Sequence, residues 1–137
     1  MKLEMTQKVF DFIVAHAQKG YPHEVVGILA GNRSSNHIYK VQPLHNESRT
    51  SNAYYKISAW KLQQAENNLE KQGFEILGYY HSHPDQSNHY SKHDCDYALP
   101  NMSYLILSIQ KGTFSGARSW RICADRSSMT SETLTIL

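Results

Sequence analysis

Residues 74–83 read FEILGYYHSH, a run of strand formers that is apolar on both alternating faces and then ends in two histidines. A strand with little polar alternation is buried on both sides, so this segment predicts a central strand in a sheet covered by helices. It also predicts where polar chemistry emerges. Side chains at i and i+2 of a strand share a face, so His81 and His83 project together while Ser82 points the other way.

The rest of the chain supplies the layers such a strand needs. Thr6 predicts a capped helix over about residues 7–18, with Val9, Phe10, Ile13, Val14 and Ala17 at helical spacing and Gly20 and Pro22 ending it. EVVGILAG (24–31) reads as a buried strand opening on one carboxylate, and NRSSN turns the chain into HIYKVQPL. AYYKIS (53–58) predicts a further strand, and AWKLQQAENNLEKQ (59–72) an amphipathic helix stopped by Gly73. SKHDCDYAL is a short helix before Pro100, MSYLILSI (102–109) a central strand, ARSWRIC (117–123) a half-exposed strand and ETLTIL a terminal edge strand. The fold class is therefore α+β, one domain over 1–137 with a mixed central sheet packed by helices.

Composition restricts the function classes. At 137 residues with 40% hydrophobic and 19% charged residues, the chain has the make-up of an ordinary globular domain. A net charge of +2, with dispersed lysines and arginines, argues for neither a nucleic-acid nor a membrane surface and leaves a homo-oligomer open. The first 20 residues lack an apolar core of the signal-peptide kind, so the cytoplasm is the expected location and Cys95 and Cys123 are expected as free thiols.

Two imidazoles at a strand end need a third ligand to hold a metal. Asp94 follows His83 by eleven positions, at the start of the short helix, from which a carboxylate can turn back toward the strand. Two histidines, one carboxylate and an open position make a known catalytic zinc composition. Plainer readings stand beside it. Ser91-Lys92-His93-Asp94 fits a helix capping box, and a histidine pair at a strand end is often just solvated. The coincidence of a buried strand delivering both imidazoles and a loop delivering the carboxylate favours the metal. Cys95, one helix position on, points about 100° away and is expected to pack. His89, His93, Asp85 and Asp96 are expected on the surface. His23 is left between a supporting role and none.

Glu24, then His81-Ser82-His83-Pro84, then Ser91-Lys92-His93-Asp94 resembles the JAMM (MPN-plus) motif of zinc isopeptidases. YPHEVVGILAG, SYLILSI and ARSWRI extend the likeness to the small bacterial members that process ubiquitin-like sulfur carriers. The resemblance implies an MPN domain with one Zn2+ on His81, His83 and Asp94, its bound water acidified from about 15.7 toward 7. It implies Glu24 as general acid and base and Ser91 as donor to the oxyanion. Val25-Val26 stands where many carrier-processing relatives have a cysteine, and Tyr90 where a proline is frequent.

The function so implied is hydrolysis of an amide bond at the C-terminal tail of a small β-grasp sulfur-carrier protein, the tail held by strand addition along a sheet edge. Competing readings are a non-catalytic MPN interaction module and a JAMM peptidase acting on cell-wall or phage-tail peptides. A zinc deaminase is disfavoured because its Pro-Cys-x-x-Cys element is missing from the sequence.

Overall fold

The structure, a computed structural model, describes residues 1–48 and 56–137. In chain order its elements are β1 (Lys2–Met5), α1 (Gln7–Gly20), β2 (Val26–Asn32), β3 (His37–Leu44), α2 (Ala59–Lys71), β4 (Glu75–Pro84), α3 (Lys92–Tyr97), β5 (Ser103–Gln110), β6 (Thr113–Ile122) and β7 (Met129–Ile136). Thr6 caps α1 as expected, its hydroxyl accepting from Val9 N at 3.3 Å. Of the strand expected over 53–58, residues 53–55 lie outside the described residues and Lys56–Ser58 carry no regular structure.

β4 is central, antiparallel to β2 and parallel to β5. Its two faces are covered differently. Leu77 and Tyr80 join Ile13 and Ala17 of α1 in one core. Ile76, with Ile28 and Ala30 of β2, packs on Leu69 of α2 in another. Full burial on both faces is what its unbroken apolar sequence demands. Gly78 sets the spacing to β5, because a Cβ there would lie 1.9 Å from the Ser103 carbonyl oxygen.

The strands run β1-β3-β2-β4-β5-β6-β7 and close into a barrel. β7 is therefore not an edge. It pairs with β6 on one side and in parallel with β1 on the other, Lys2 opposite Thr133 through Met5 opposite Ile136. Closure satisfies backbone groups that an edge would expose, and it limits strand addition. Among the described residues, the outer side of β3 beyond Ile38 is the stretch where β1 offers no partner. No described helix is long and apolar enough to cross a membrane.

Candidate metal centre

The register of β2 on β4 assembles the site. Val26 faces His81, and Ser82 N donates to Val25 O at 3.1 Å, so the same antiparallel count carried two residues back sets Glu24 across from His83. Glu24 precedes β2 rather than opening it, and it is 4% exposed, where a strand-end glutamate is usually solvated. Two anchors hold its backbone. Val25 N donates to the buried Ser82 hydroxyl at 2.9 Å, and Asn46 Nδ2 donates to Glu24 O at 2.8 Å. Ser82 thus uses the face opposite the histidines to fix the carboxylate. Asn46 carries no signal in the sequence, lying in a polar run that reads as a loop.

α3 brings the third donor. Ser91 is its N-cap: the hydroxyl accepts from Asp94 N at 3.0 Å, and Asp94 Oδ2 accepts from Ser91 N at 2.8 Å. The capping box is real, and it aims the same carboxylate at both histidines. His81 Nε2 lies 3.0 Å from Asp94 Oδ1, His83 Nε2 lies 3.2 Å from Asp94 Oδ2, and the two Nε2 atoms are 3.3 Å apart. The carboxylate that closes the cap is thus the one that faces both histidines.

These separations are a test of fit. A tetrahedral ion with bonds of about 2.0–2.1 Å holds its ligand atoms about 3.3–3.4 Å apart, which is close to the separation of the two Nε2 atoms, and one Asp94 oxygen faces each imidazole. Glu24 Oε1 is 4.0 Å from His81 Nε2, near the donors but wider, and Glu24, His81 and His83 together also form a cluster with metal-holding geometry. His83 is oriented further. Its Nδ1 is 2.8 Å from the Ser87 carbonyl, which can only accept, so Nδ1 carries the hydrogen and Nε2 keeps its lone pair for the cluster.

Protonation follows from burial and neighbours. Burial lowers the His81 imidazole against the pull of Asp94, which favours the neutral, ligating form. Burial alone would raise the Asp94 carboxyl, but hydrogen bonds and charge from His81 and His83, with the Ser91 N–H, hold it well below the usual carboxylate range. Glu24 goes the other way. Burial first, then the negative charge of Asp94, pushes its carboxyl up to about 9. Among the described residues the ion-pair partners of Glu24 and Asp94 are imidazoles rather than lysine or arginine. Two carboxylates and two imidazoles around one point are a donor set that a dication suits.

The loop between β4 and α3 is fastened at several points. Ser108 Oγ and Gln110 Nε2 donate to Gln86 O, Trp120 Nε1 donates to Asn88 O at 3.0 Å, and Tyr90 stands edge-on to Trp120 with centroids 4.9 Å apart. Tyr90 thus anchors the end of the loop that leads into Ser91. His89 is exposed yet rests against Trp120 and Tyr90, and His93 is exposed beside Tyr97. Asp85 is more than a surface charge, since it accepts from Lys111 N at 2.8 Å and Tyr21 Oη at 2.7 Å. Asp96 pairs with Lys92. Cys95 packs with Ile106, Trp120 and Met129, and both Cys95 and Cys123 are free thiols.

The fold is that of a JAB/MPN-type metallopeptidase domain. The chain belongs to the prokaryotic homologs of the JAB domain, whose family model matches residues 6–123. It is 29% identical over 112 residues to a desampylase of Haloferax volcanii, covering 78% of this chain and 81% of the relative. It is 28% identical over 111 residues to the CysO-cysteine peptidase of Mycobacterium tuberculosis, covering 80% and 75%. A solution structure of a Desulfitobacterium hafniense protein superposes with a TM-score of 0.84 at 27% identity, covering 100% of this chain and 93% of that one.

Proposed function

We propose that this chain is a zinc peptidase that hydrolyses an amide bond at the C-terminal tail of a small ubiquitin-like sulfur-carrier protein in the cytoplasm. The observation that carries the reading is the convergence of His81, His83 and Asp94 at separations of 3.0, 3.2 and 3.3 Å, with Glu24 Oε1 at 4.0 Å. His81, His83 and Asp94 would hold the ion, and zinc bound there supplies Lewis-acid polarisation of a water and of the scissile carbonyl.

The protein groups do the rest. Glu24 takes a proton from the attacking water and returns one to the leaving nitrogen, the task its position beside the donor cluster suits. Burial and Asp94 hold its carboxyl up at about 9 when no cation is near, and a dication held by the neighbouring donors would draw it back toward the ionised form that accepts a proton. Ser91 Oγ already accepts from Asp94 N, so its own hydrogen remains to donate to the developing oxyanion. Ser82 and Asn46 hold the Glu24 backbone against drift.

The tail has a place to lie. A groove of about 470 Å³ is lined largely by apolar side chains, Val26, Leu44, Tyr79, Tyr97 and Tyr104 among them, with His93 at the wall. Tyr79 stands two residues before His81 on the same strand face, so the groove lies along the strand that carries the histidines. An extended, flexible Gly-Gly tail fits such a channel better than a folded surface does. A desampylase and a CysO-cysteine peptidase among the relatives support a protein substrate. The test is metal content alongside turnover. We expect one zinc per chain in the wild type and in Glu24→Gln, none in His83→Ala, and cleavage of a tail-extended carrier by the wild type alone. Stoichiometric zinc in His83→Ala would remove the ligand assignment.

A further inference from the structure

Residues 21–25 join α1 to β2 and belong to neither element, and Glu24 stands in this connection. A proton carrier on a connecting segment keeps a fixed position only if the segment is held on both sides of it. Downstream, Ser82 and Asn46 hold Val25 N and Glu24 O. Upstream, the hold is Tyr21, whose hydroxyl donates to Asp85 Oδ2 at 2.7 Å. Asp85 is the second residue after His83 and directly follows β4. We propose that Tyr21 and Asp85 are positioning residues that set the Glu24 carboxylate against the donor cluster, by tying the segment that carries Glu24 to the end of the strand that carries both histidines. The proposal rests on the peptidase reading above and adds to it two residues that lie outside the motif.

Asp85 is built as a rigid acceptor. Its backbone has φ 58°, in the left-handed region that aspartate adopts more readily than most residues other than glycine. Its N–H donates to Ile109 O at 2.7 Å, and its Oδ1 accepts from Lys111 N at 2.8 Å. Backbone groups at the end of β5 and in the turn to β6 therefore fix the carboxylate at one oxygen and leave the other aimed at Tyr21.

Tyr21 is equally constrained. Its ring packs against the core that holds Ile13, Ala17 and Tyr80. The path from there to Glu24 is tight. His23 N donates to Gly20 O at 2.9 Å, and a Cβ on Gly20 would lie 2.2 Å from Val25 Cγ1, so the two ends of the connection are pressed together. In so short a loop a displacement of Tyr21 is passed on to Glu24, whereas His81 and His83 are held by the pairing of β4 with β2 and β5. Loss of the tether thus moves the proton carrier and leaves the ligands. Proton transfer needs heavy atoms within about 2.6–3.2 Å, and a misplacement of about 1 Å can cost about 10²-fold in rate.

The experiment uses the zinc-loaded full chain and, as substrate, a ubiquitin-like sulfur carrier with a short extension after its Gly-Gly. Tyr21→Phe keeps the packed ring and removes the hydroxyl alone. It should lower kcat on the order of tenfold with KM and zinc content unchanged. Asp85→Ala should lower it at least as far. Asp85→Asn should recover most of the rate lost in Asp85→Ala, because its side-chain oxygen still accepts from Lys111 N and its NH2 can donate to Tyr21 Oη. Adding Tyr21→Phe to Asp85→Ala should cost nothing further, since both remove one contact. A second readout needs no turnover: the Val25 amide, bonded to Ser82, should exchange its hydrogen faster in Tyr21→Phe by on the order of tenfold, with the Ile106 amide of β5 unchanged. A kcat for Tyr21→Phe within about twofold of wild type, or a fall in kcat matched by loss of zinc, overturns the assignment. Faster Val25 exchange in Tyr21→Phe with the carrier left intact by every protein, wild type included, would keep the tether and sink the peptidase reading instead.

Discussion

Replacing Glu24 by glutamine should make the chelated protein more stable, and increasingly so as pH rises. In the folded chain the Glu24 carboxyl is pushed up to about 9 from the ordinary 4.5, by burial and then by Asp94. The folded state keeps a proton that the unfolded chain releases above 4.5, so this group costs little stability at pH 5. The cost grows through the interval up to about 9, where the folded form also ionises. Each pH unit in that window is worth about 1.4 kcal/mol, so between pH 5 and pH 8 the wild type loses at most about 4 kcal/mol that Glu24→Gln does not. At roughly 3 °C per kcal/mol for a chain of this size, the gap in melting temperature should open by on the order of 10 °C. Urea or thermal melts of both proteins in chelator, at the two pH values, measure it. Parallel pH dependence of wild type and variant would refute the burial argument for Glu24.

Other substitutions separate the parts of the site. Ser91→Ala should cost about 10²–10³ in kcat by removing an oxyanion donor, and about 1 kcal/mol of stability by removing the N-cap, read by kinetics and by melts. Asp94→Ala should abolish zinc binding as measured by metal analysis and also loosen α3, because the same carboxylate accepts from Ser91 N. Ser82→Ala leaves the Val25 N–H without its partner, which should cost about 1–3 kcal/mol and lower kcat while metal content stays at one per chain. Zinc-free protein from Ser82→Ala would show that Ser82 acts on the ligands and not on Glu24.

The layered core and much of the site were legible because they depend on local pattern. The apolar run of β4 announces burial on both faces, and i,i+2 spacing delivers His81 and His83 together, a matter of strand geometry alone. What was not legible depends on distant pairing. β1 is four residues long with alternating charges, and it gains meaning by closing the barrel onto β7 at the far end of the chain. For the same reason the last strand looked like an edge. The burial of Glu24 follows from the register of β2 on β4 and from Asn46, neither of which local periodicity reveals. The Ser91–Asp94 spacing reads as a cap and as a candidate ligand, and the two are compatible because Asp94 Oδ2 accepts from Ser91 N while its two oxygens face His81 and His83.

The central claim meets its most direct test in mass spectrometry of a ubiquitin-like sulfur carrier whose Gly-Gly terminus carries a short extension. The zinc-loaded protein should release the extension at the bond after the second glycine, lose that activity in chelator, regain it with added zinc, and show none as Glu24→Gln. Carriers left intact by protein that holds one zinc per chain would contradict the account.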